Sequence, residues 1–199
     1  MNFAVFASGN GSNLQAIIDA IKKKTIKANL KLVVSDHPKA YALVRAKRAK
    51  IATLIVEPKD YPDRVSFDRE IIDQLKKKHV DFIVLAGFMR ILSPIFIKAF
   101  KGKILNVHPA LLPAFKGAHA IKDAFDCGVK VTGVTVHFVD EQVDHGAIIC
   151  QQAVAIDKKD TPKILEKKIH HVEHIVYPKA IDLFARGKLK VIGRLVRIL

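Results

Sequence analysis

The chain has 199 residues and half of them are hydrophobic, which is enough to build a core and excludes a disordered class. No apolar run approaches the roughly 20 residues that span a bilayer, so no membrane partner is expected. The formal net charge of +15 is typical of nucleic-acid binders and of enzymes that draw in anionic substrates, although lysine clusters also occur on plain solvated helix faces.

Short apolar runs alternate with amphipathic stretches along the first half of the chain. In chain order, the runs predict strands at 3–7, 30–35, 52–56, 82–86 and 104–107. The stretches between them predict helices at 14–23, 41–50 and 63–78. This alternation is typical of βαβ units and a parallel sheet.

The second half of the chain has a different pattern. Residues 130–139 and 147–156 are rich in β-formers and flank the polar turn DEQVDHG, which predicts a hairpin. Thr161 and Pro162 then begin a long helix, with Thr161 at the N-cap, that ends near Gly187. The final stretch, KLKVIGRLVRIL, predicts one more strand.

We find no repeat, low-complexity segment or linker, and therefore predict one domain over residues 1–199. The fold class is α/β, with a doubly wound, mostly parallel sheet flanked by helices. In such sheets, ligands bind beyond the carboxyl ends of the strands. Functional side chains are therefore expected in the loops after Ala7, Leu85, Val107 and Val139.

The N-terminal segment and the cysteines of the chain indicate its cellular compartment. The first apolar segment follows Met1 without a basic region, so no signal peptide is expected. Cys127 and Cys150 form neither a C-x-x-C pair nor a disulfide framework. These features predict a reducing, cytoplasmic setting.

The stretch ASGNGSNLQ joins the first predicted strand to the first helix. Gly9 and Gly11 permit left-handed backbone, and Ser12 with Gln15 fits the S-x-x-Q capping box. Leu14 stands where a dinucleotide fingerprint needs its third glycine, and the Gly-Lys pair of a P-loop is missing. Because free N–H groups at a helix start favour phosphate, we predict a phosphomonoester site, with a plain capped turn as the alternative.

The last long helix carries the H-x-x-E-H pattern of inverted zinc metalloproteases. His170, Glu173, His174 and Tyr177 fall on one helical face. A zinc site would need a third ligand, which the pattern does not supply. The same residues are equally suited to hydrogen-bond a sugar or to face water.

The stretch NVHP brings two polar side chains to the end of a buried strand. Asn106 and His108 alternate, so they point to one side, and Pro109 stops the strand. An amide beside an imidazole is suited to hold a carbonyl oxygen as it becomes an oxyanion. Asp144, on another strand-end loop, would favour the imidazolium form. With no Ser or Cys nucleophile beside them, these residues favour direct transfer between two bound substrates, and a structural histidine is the alternative.

Five segments of the chain carry a resemblance to a known family. They are SGNGSNLQAI at 8–17, AGFMRILS at 86–93, NVHPALLPAFKG at 106–117, GVTVHFVDEQVDHGAII at 133–149 and EHIVYP at 173–178. In this order the chain closely resembles the folate-dependent phosphoribosylglycinamide formyltransferases. The resemblance implies transfer of a formyl group from 10-formyltetrahydrofolate to glycinamide ribonucleotide in de novo purine biosynthesis, without a metal.

The resemblance also implies that the two halves of the chain have different functions. A Rossmann-like half, residues 1–100, would bind the ribonucleotide phosphate, and residues 101–199 would carry catalysis and most of the folate site. Gly11, Ser12 and Asn13 would hold the phosphate. Glu173 would contact the ribose, which replaces the zinc interpretation. The catalytic set would be Asn106, His108 and Asp144, and the folate-binding residues would be Arg64, Met89, Arg90, Ile91, Leu92, Asn106, Asp140, Glu141 and Val143.

Three positions depart from the family pattern. Ala110 replaces a common serine, Ala147 a usual proline, and His170 a residue that often carries an amide. We expect neither the carboxy-terminal domain of methionyl-tRNA formyltransferase nor the amino-terminal domain of formyltetrahydrofolate deformylase. The phosphate loop favours a small ribonucleotide over nucleic acid, and we expect a monomer or a homodimer.

Overall fold

The computed structural model describes residues 1–199 and contains nine strands and six α-helices. The strands are β1 (Asn2–Phe6), β2 (Asn29–Ser35), β3 (Thr53–Ile55), β4 (Phe82–Leu85), β5 (Ile104–His108), β6 (Val131–Phe138), β7 (Ile148–Ala155), β8 (Leu189–Ile192) and β9 (Leu195–Ile198). The helices are α1 (Ser12–Lys22), α2 (Tyr41–Arg48), α3 (Arg64–Lys77), α4 (Pro94–Ala99), α5 (Ala120–Cys127) and α6 (Pro162–Ala185).

Seven strands form one sheet in the order β3-β2-β1-β4-β5-β6-β7. The pairs from β3 to β5 are parallel, whereas β5–β6 and β6–β7 are antiparallel. The predicted α/β class, with a mostly parallel sheet between helices, is therefore confirmed. The strand order reverses between β1 and β4, so the loops after these strands border the crevice where such folds bind ligands.

The core lies on both faces of the sheet. In β1, Phe3 and Val5 belong to a cluster of 27 buried residues, whereas Ala4 and Phe6 belong to a cluster of 18 on the other face. Side chains alternate along a strand, so a strand covered by helices on both sides must be apolar at every position. This explains why the central strands β1 and β4 are apolar runs.

The longest helix, α6, anchors the ends of two central strands. Thr161 caps it as predicted, because its Oγ accepts from the N–H of Ile164 at 3.3 Å. Tyr177 is fully buried, and its hydroxyl lies 2.8 Å from the carbonyl oxygen of Leu85 and 2.9 Å from that of Leu105. Burial raises the pKa of the Tyr177 hydroxyl well above its usual range, so the group stays protonated and donates.

Replacing Tyr177 with phenylalanine is expected to lower the free energy of unfolding by about 1–3 kcal/mol, because two buried carbonyls lose their shared donor. Urea denaturation, monitored by circular dichroism, measures this change in the free energy of unfolding. Tyr41→Phe is the matched control, since that ring is 42% exposed and its hydroxyl contacts only the surface residue Arg48. Equal effects of the two substitutions would contradict the anchoring role of Tyr177.

The end of the chain and two short helices differ from the predictions. KLKVIGRLVRIL forms the hairpin β8–β9 with Gly193 in its turn at φ 61°, so the prediction of a single strand was wrong. Helices α4 and α5 were not predicted; α4 has six residues and α5 eight, too few turns to produce a clear 3.6-residue period. None of the helices combines the length and the apolar character needed to cross a bilayer.

Candidate active site

The loop between β1 and α1 leaves the start of the helix uncapped. Gly11 occupies the N-cap with φ 72°, and a Cβ there would come within 2.8 Å of the Ala42 Cβ, so only glycine fits. The predicted capping box was wrong: Ser12 is the first helical residue, and Gln15 donates through Nε2 to Asp19 instead. Because no side chain occupies this helix start, its N–H groups are open to an anion.

A second loop lies against this one across the sheet crevice. The N–H of Ser8 donates to the carbonyl of Gly87 at 3.0 Å, and the N–H of Met89 donates to the Ser8 Oγ at 3.0 Å. These bonds join the loop after β1 to the loop after β4. The predicted phosphate segment and the predicted folate residues at 89–92 therefore border the same crevice.

Glu173 on α6 meets the first turn of α1. Its side chain is nearly fully buried, and its Oε2 accepts from Asn13 Nδ2 at 2.8 Å and from His170 Nδ1 at 2.9 Å. The hydrogen bond to Glu173 raises the pKa of His170. The structure thus brings together Glu173 and Asn13, two residues predicted to bind one substrate, and it adds His170. In this arrangement the H-x-x-E-H pattern serves a hydrogen-bond network.

His108 lies at the end of β5 with an oxygen acceptor on each side of its ring. Its Nδ1 is 3.3 Å from Asp144 Oδ2, and its Nε2 is 2.8 Å from the carbonyl oxygen of Phe115. A carbonyl oxygen can only accept, so Nε2 carries a hydrogen and donates to Phe115, while the Asp144 carboxylate faces the other ring nitrogen. Asp144 is fixed in turn, because its Oδ2 accepts from the N–H of Gly117 at 2.8 Å.

Asn106 is oriented by a residue that the sequence analysis missed. His137 on β6 is its direct partner in the antiparallel β5–β6 register. The His137 Nδ1 donates to the carbonyl of Phe138 at 2.7 Å, which leaves Nε2 to accept from Asn106 Nδ2 at 3.2 Å. Burial lowers the pKa of His137, so the ring stays neutral as this bond requires. His137 lies within the motif GVTVHF, but only the pairing of β5 with β6 shows that it lies opposite Asn106.

Two residues beside His108 adopt left-handed backbone although neither is glycine. Phe115 and Asp144 both have φ 49°, a conformation that costs an ordinary residue about 1–2 kcal/mol. One of them presents its carbonyl to His108 Nε2 and the other its carboxylate to His108 Nδ1. Backbone strain of this kind concentrates at functional sites.

The segment after β4 presents apolar side chains to solvent. Met89 is 70% exposed and Ile91 60% exposed, whereas Leu92 is buried in the core beneath them. The Arg90 guanidinium stacks 5.0 Å above the Phe67 ring. Exposed apolar groups beside a polar cluster are typical of a ligand-binding surface.

Arg64 and Arg90 both lie near a buried carboxyl group, that of Asp68. Arg64 is the first residue of α3, and Asp68 one turn later accepts from the N–H of Ser93 at 2.6 Å. Burial raises the pKa of Asp68, and the nearby cations of Arg64 and Arg90 oppose that rise. Two predicted folate residues therefore lie around one structural carboxyl group.

The loop that carries Asp144 contains the remaining predicted residues. Asp140 Oδ2 lies 2.8 Å from His145 Nδ1, and His145 Nε2 lies 2.7 Å from Arg194 Nη1 in the β8–β9 turn. Glu141 is exposed and Val143 is 50% exposed, and neither makes a side-chain hydrogen bond or ion pair. This loop is thus tied to the C-terminal hairpin while its tip faces solvent.

Comparisons with known proteins identify the family and the fold. The Formyl transferase family profile matches residues 1–181. The phosphoribosylglycinamide formyltransferase of Bacillus subtilis (strain 168) is 47% identical over 179 residues, which cover 90% of this chain and 92% of that protein. A trifunctional purine biosynthetic protein adenosine-3 of Chironomus tentans is 47% identical over 189 residues, 94% of this chain but 14% of that protein. The crystal structure of glycinamide ribonucleotide transformylase 1 from Symbiobacterium toebii superposes with a TM-score of 0.98 at 45% identity, covering 100% of this chain and 94% of that one.

Proposed function

The chain belongs to the formyl transferase family, and we propose that it transfers a formyl group from 10-formyltetrahydrofolate to the amine of glycinamide ribonucleotide. This reaction is a step of purine biosynthesis. The Bacillus subtilis and Symbiobacterium toebii relatives are named as a phosphoribosylglycinamide formyltransferase and a glycinamide ribonucleotide transformylase. The observation that carries the proposal is the His108 ring held between two oxygen atoms, two residues along β5 from Asn106, in a protein whose helix α1 begins without a side-chain cap.

The ribonucleotide is assigned to the crevice edge formed by α1 and α6. The uncapped helix start at Gly11, Ser12 and Asn13 suits its phosphate, since unpaired N–H groups and the helix dipole both favour an anion. Glu173 accepts two hydrogen bonds in the free protein and has further acceptor capacity for a ribose hydroxyl. His170, which departs from the family pattern, bonds Glu173 and so becomes part of this surface.

The folate is assigned to the exposed loops on the other side of His108. Met89 and Ile91 offer apolar surface to a pteridine ring, and Arg64 and Arg90 offer positive charge to the glutamate tail. Asp140, Glu141 and Val143 would line the pocket from the loop that carries Asp144. This arrangement would set the formyl carbon between the amine and the catalytic side chains.

Transfer is direct in this mechanism. The amine nitrogen attacks the formyl carbon, and the formyl oxygen takes on negative charge in the tetrahedral intermediate. One Asn106 N–H bonds His137, which leaves the second N–H to donate to this oxygen. His108 Nε2 donates as well, once the formyl oxygen replaces the Phe115 carbonyl as its acceptor.

Collapse of the intermediate breaks the bond between the formyl carbon and the folate nitrogen. The attacking amine loses a proton and the folate nitrogen gains one, through His108 or an ordered water. When His108 carries the proton, its ring gives one to the folate nitrogen and takes one from the amine, so the ring ends in the form in which it began; Asp144, 3.3 Å away, holds the ring in place. No covalent enzyme intermediate forms, because no nucleophilic side chain belongs to the set.

A formyl-transfer assay tests the proposal by following the release of tetrahydrofolate with and without glycinamide ribonucleotide. We expect release only when the ribonucleotide is present, together with formation of its N-formyl product. Release that ignores the ribonucleotide would instead identify a hydrolase. Absence of turnover, with salt-dependent binding to RNA or DNA, would support the alternative suggested by the +15 charge.

The hydrogen bond between Asn106 and His137 gives a prediction of its own. His137→Phe is expected to lower kcat by about 10–100-fold, because the amide keeps its donors but loses the acceptor that aims it. Steady-state kinetics with both substrates saturating measures the change. His171→Phe, on the exposed face of α6, is the control and should retain kcat. An unchanged kcat in the folded His137 variant would contradict the orienting role.

A further inference from the structure

Arg45 on α2 makes three hydrogen bonds to the loop and helix start of the proposed phosphate site. Its Nε donates to the Asn10 carbonyl at 2.9 Å, and its Nη2 donates to Asn10 Oδ1 at 3.0 Å. Its Nη1 donates to Gln15 Oε1 in α1 at 3.2 Å. The planar guanidinium therefore fixes both ends of Asn10 relative to the first turns of α1.

Helix α2 supports the same loop at two further points. The N–H of Ala42 donates to the Gly9 carbonyl at 3.1 Å, and Ala42 also fills the space beside Gly11. The Tyr41 ring packs against Arg45, with the guanidinium carbon 4.8 Å from the ring centre. The position of α2 thus determines the shape of the loop through residues 9–11.

The charge of Arg45 is not cancelled by these contacts. All three acceptors are neutral amide or carbonyl oxygens. A guanidinium has five N–H donors, so two remain. The N–H groups of residues 9–13 donate to no backbone carbonyl. The positive charge also extends toward α6, because it adds to the effect of burial in lowering the pKa of His174.

We propose that Arg45 is a positioning residue that shapes the phosphate loop and adds the positive charge that a phosphate dianion requires. It sets the affinity for the phosphorylated substrate and takes no part in the formyl chemistry. This inference rests on the proposed function, since it assigns the ribonucleotide phosphate to the loop. Charge-assisted contacts of this kind are typically the strongest polar interactions at a phosphate site.

Kinetics of Arg45→Gln and Arg48→Gln test the assignment. Arg48 is a matched control, because it lies one turn along α2 and also contacts Tyr41, with its Nη1 donating to the hydroxyl at 3.2 Å. We expect Arg45→Gln to raise KM for glycinamide ribonucleotide about 10–100-fold, with kcat and KM for the folate unchanged within about twofold. Arg48→Gln should leave all three constants unchanged. Equal ribonucleotide KM values in the two variants would overturn the proposal.

Two further measurements distinguish a role of Arg45 at the phosphate loop from a general loss of folded structure. Arg45→Lys keeps the charge but not the planar fork, so an intermediate rise of about 3–10-fold in KM is expected. Glycinamide riboside, which lacks the phosphate, should be used equally by the wild type and by Arg45→Gln. A loss of the same size with this riboside would show that Arg45 supports the fold rather than the phosphate, and would overturn the proposal.

Inorganic phosphate distinguishes failure of this inference from failure of the proposed function. We expect phosphate to raise the thermal unfolding midpoint of the wild type and of Arg48→Gln, but not that of Arg45→Gln. This shift requires no formyl transfer, so it tests Arg45 even if glycinamide ribonucleotide proves not to be the substrate. Equal shifts in all three proteins would overturn the assignment of Arg45.

Discussion

Replacing His108 with glutamine is expected to lower kcat by about 10²–10⁴-fold while leaving the fold intact. Glutamine can still donate to the Phe115 carbonyl, but it carries no charge and moves no proton. The variant therefore loses the positive charge beside the developing oxyanion and the proton exchange between the two substrate nitrogens. Single-turnover rates with both substrates saturating measure the loss at the chemical step.

A double-mutant cycle with Asp144→Asn is the sharpest control for this prediction. The Asp144 carboxylate acts through His108, from which it is 3.3 Å away, so the double variant should be about as slow as the slower single variant. Full additivity of the two losses would show that Asp144 acts independently. A kcat near that of the wild type in His108→Gln would exclude His108 from the reaction.

Asn106→Ala is expected to lower kcat by about 10²–10³-fold, the usual effect of removing one oxyanion donor. Both KM values should stay near those of the wild type, because the amide is engaged mainly in the transition state. Asn106→Asp tests the same donor role, because aspartate has nearly the shape of asparagine but no N–H group. Its carboxylate would repel the oxyanion, so its loss should be at least as large as that of the alanine variant. An unchanged kcat in Asn106→Ala would rule out the assigned role.

The sheet could be predicted well from the sequence because its central strands consist mainly of apolar residues. Strands buried on both faces must be largely apolar, so β1 and β4 were recognisable as apolar runs, and β5 as a short apolar run interrupted by Asn106. The antiparallel hairpin β6–β7 followed from two β-rich runs around a polar turn. Short elements were harder, since α4 and α5 complete too few turns to establish a period.

The errors near the site arose where tertiary contacts decide local structure. Ser12 and Gln15 match a capping box, but Gly11 packs against Ala42 in a left-handed conformation and takes the N-cap itself. His137 was missed because its importance depends on lying opposite Asn106 in a neighbouring strand, and strand order is not a local property. Asn106 and His108 could be grouped from the sequence alone because alternate residues of one strand point to the same side.

In the free protein, the Phe115 carbonyl oxygen competes weakly with the substrate for the hydrogen bond from His108 Nε2. In the proposed mechanism its hydrogen bond to His108 Nε2 is exchanged for one to the formyl oxygen, so only the fraction of molecules with this bond open would be competent to bind productively. A bond worth about 1 kcal/mol leaves roughly one molecule in six open and raises the apparent dissociation constant by about sixfold. In return, the closed bond gives Nε2 an acceptor in the free protein, and a substrate that displaces the carbonyl meets a ring already aligned beside Asp144.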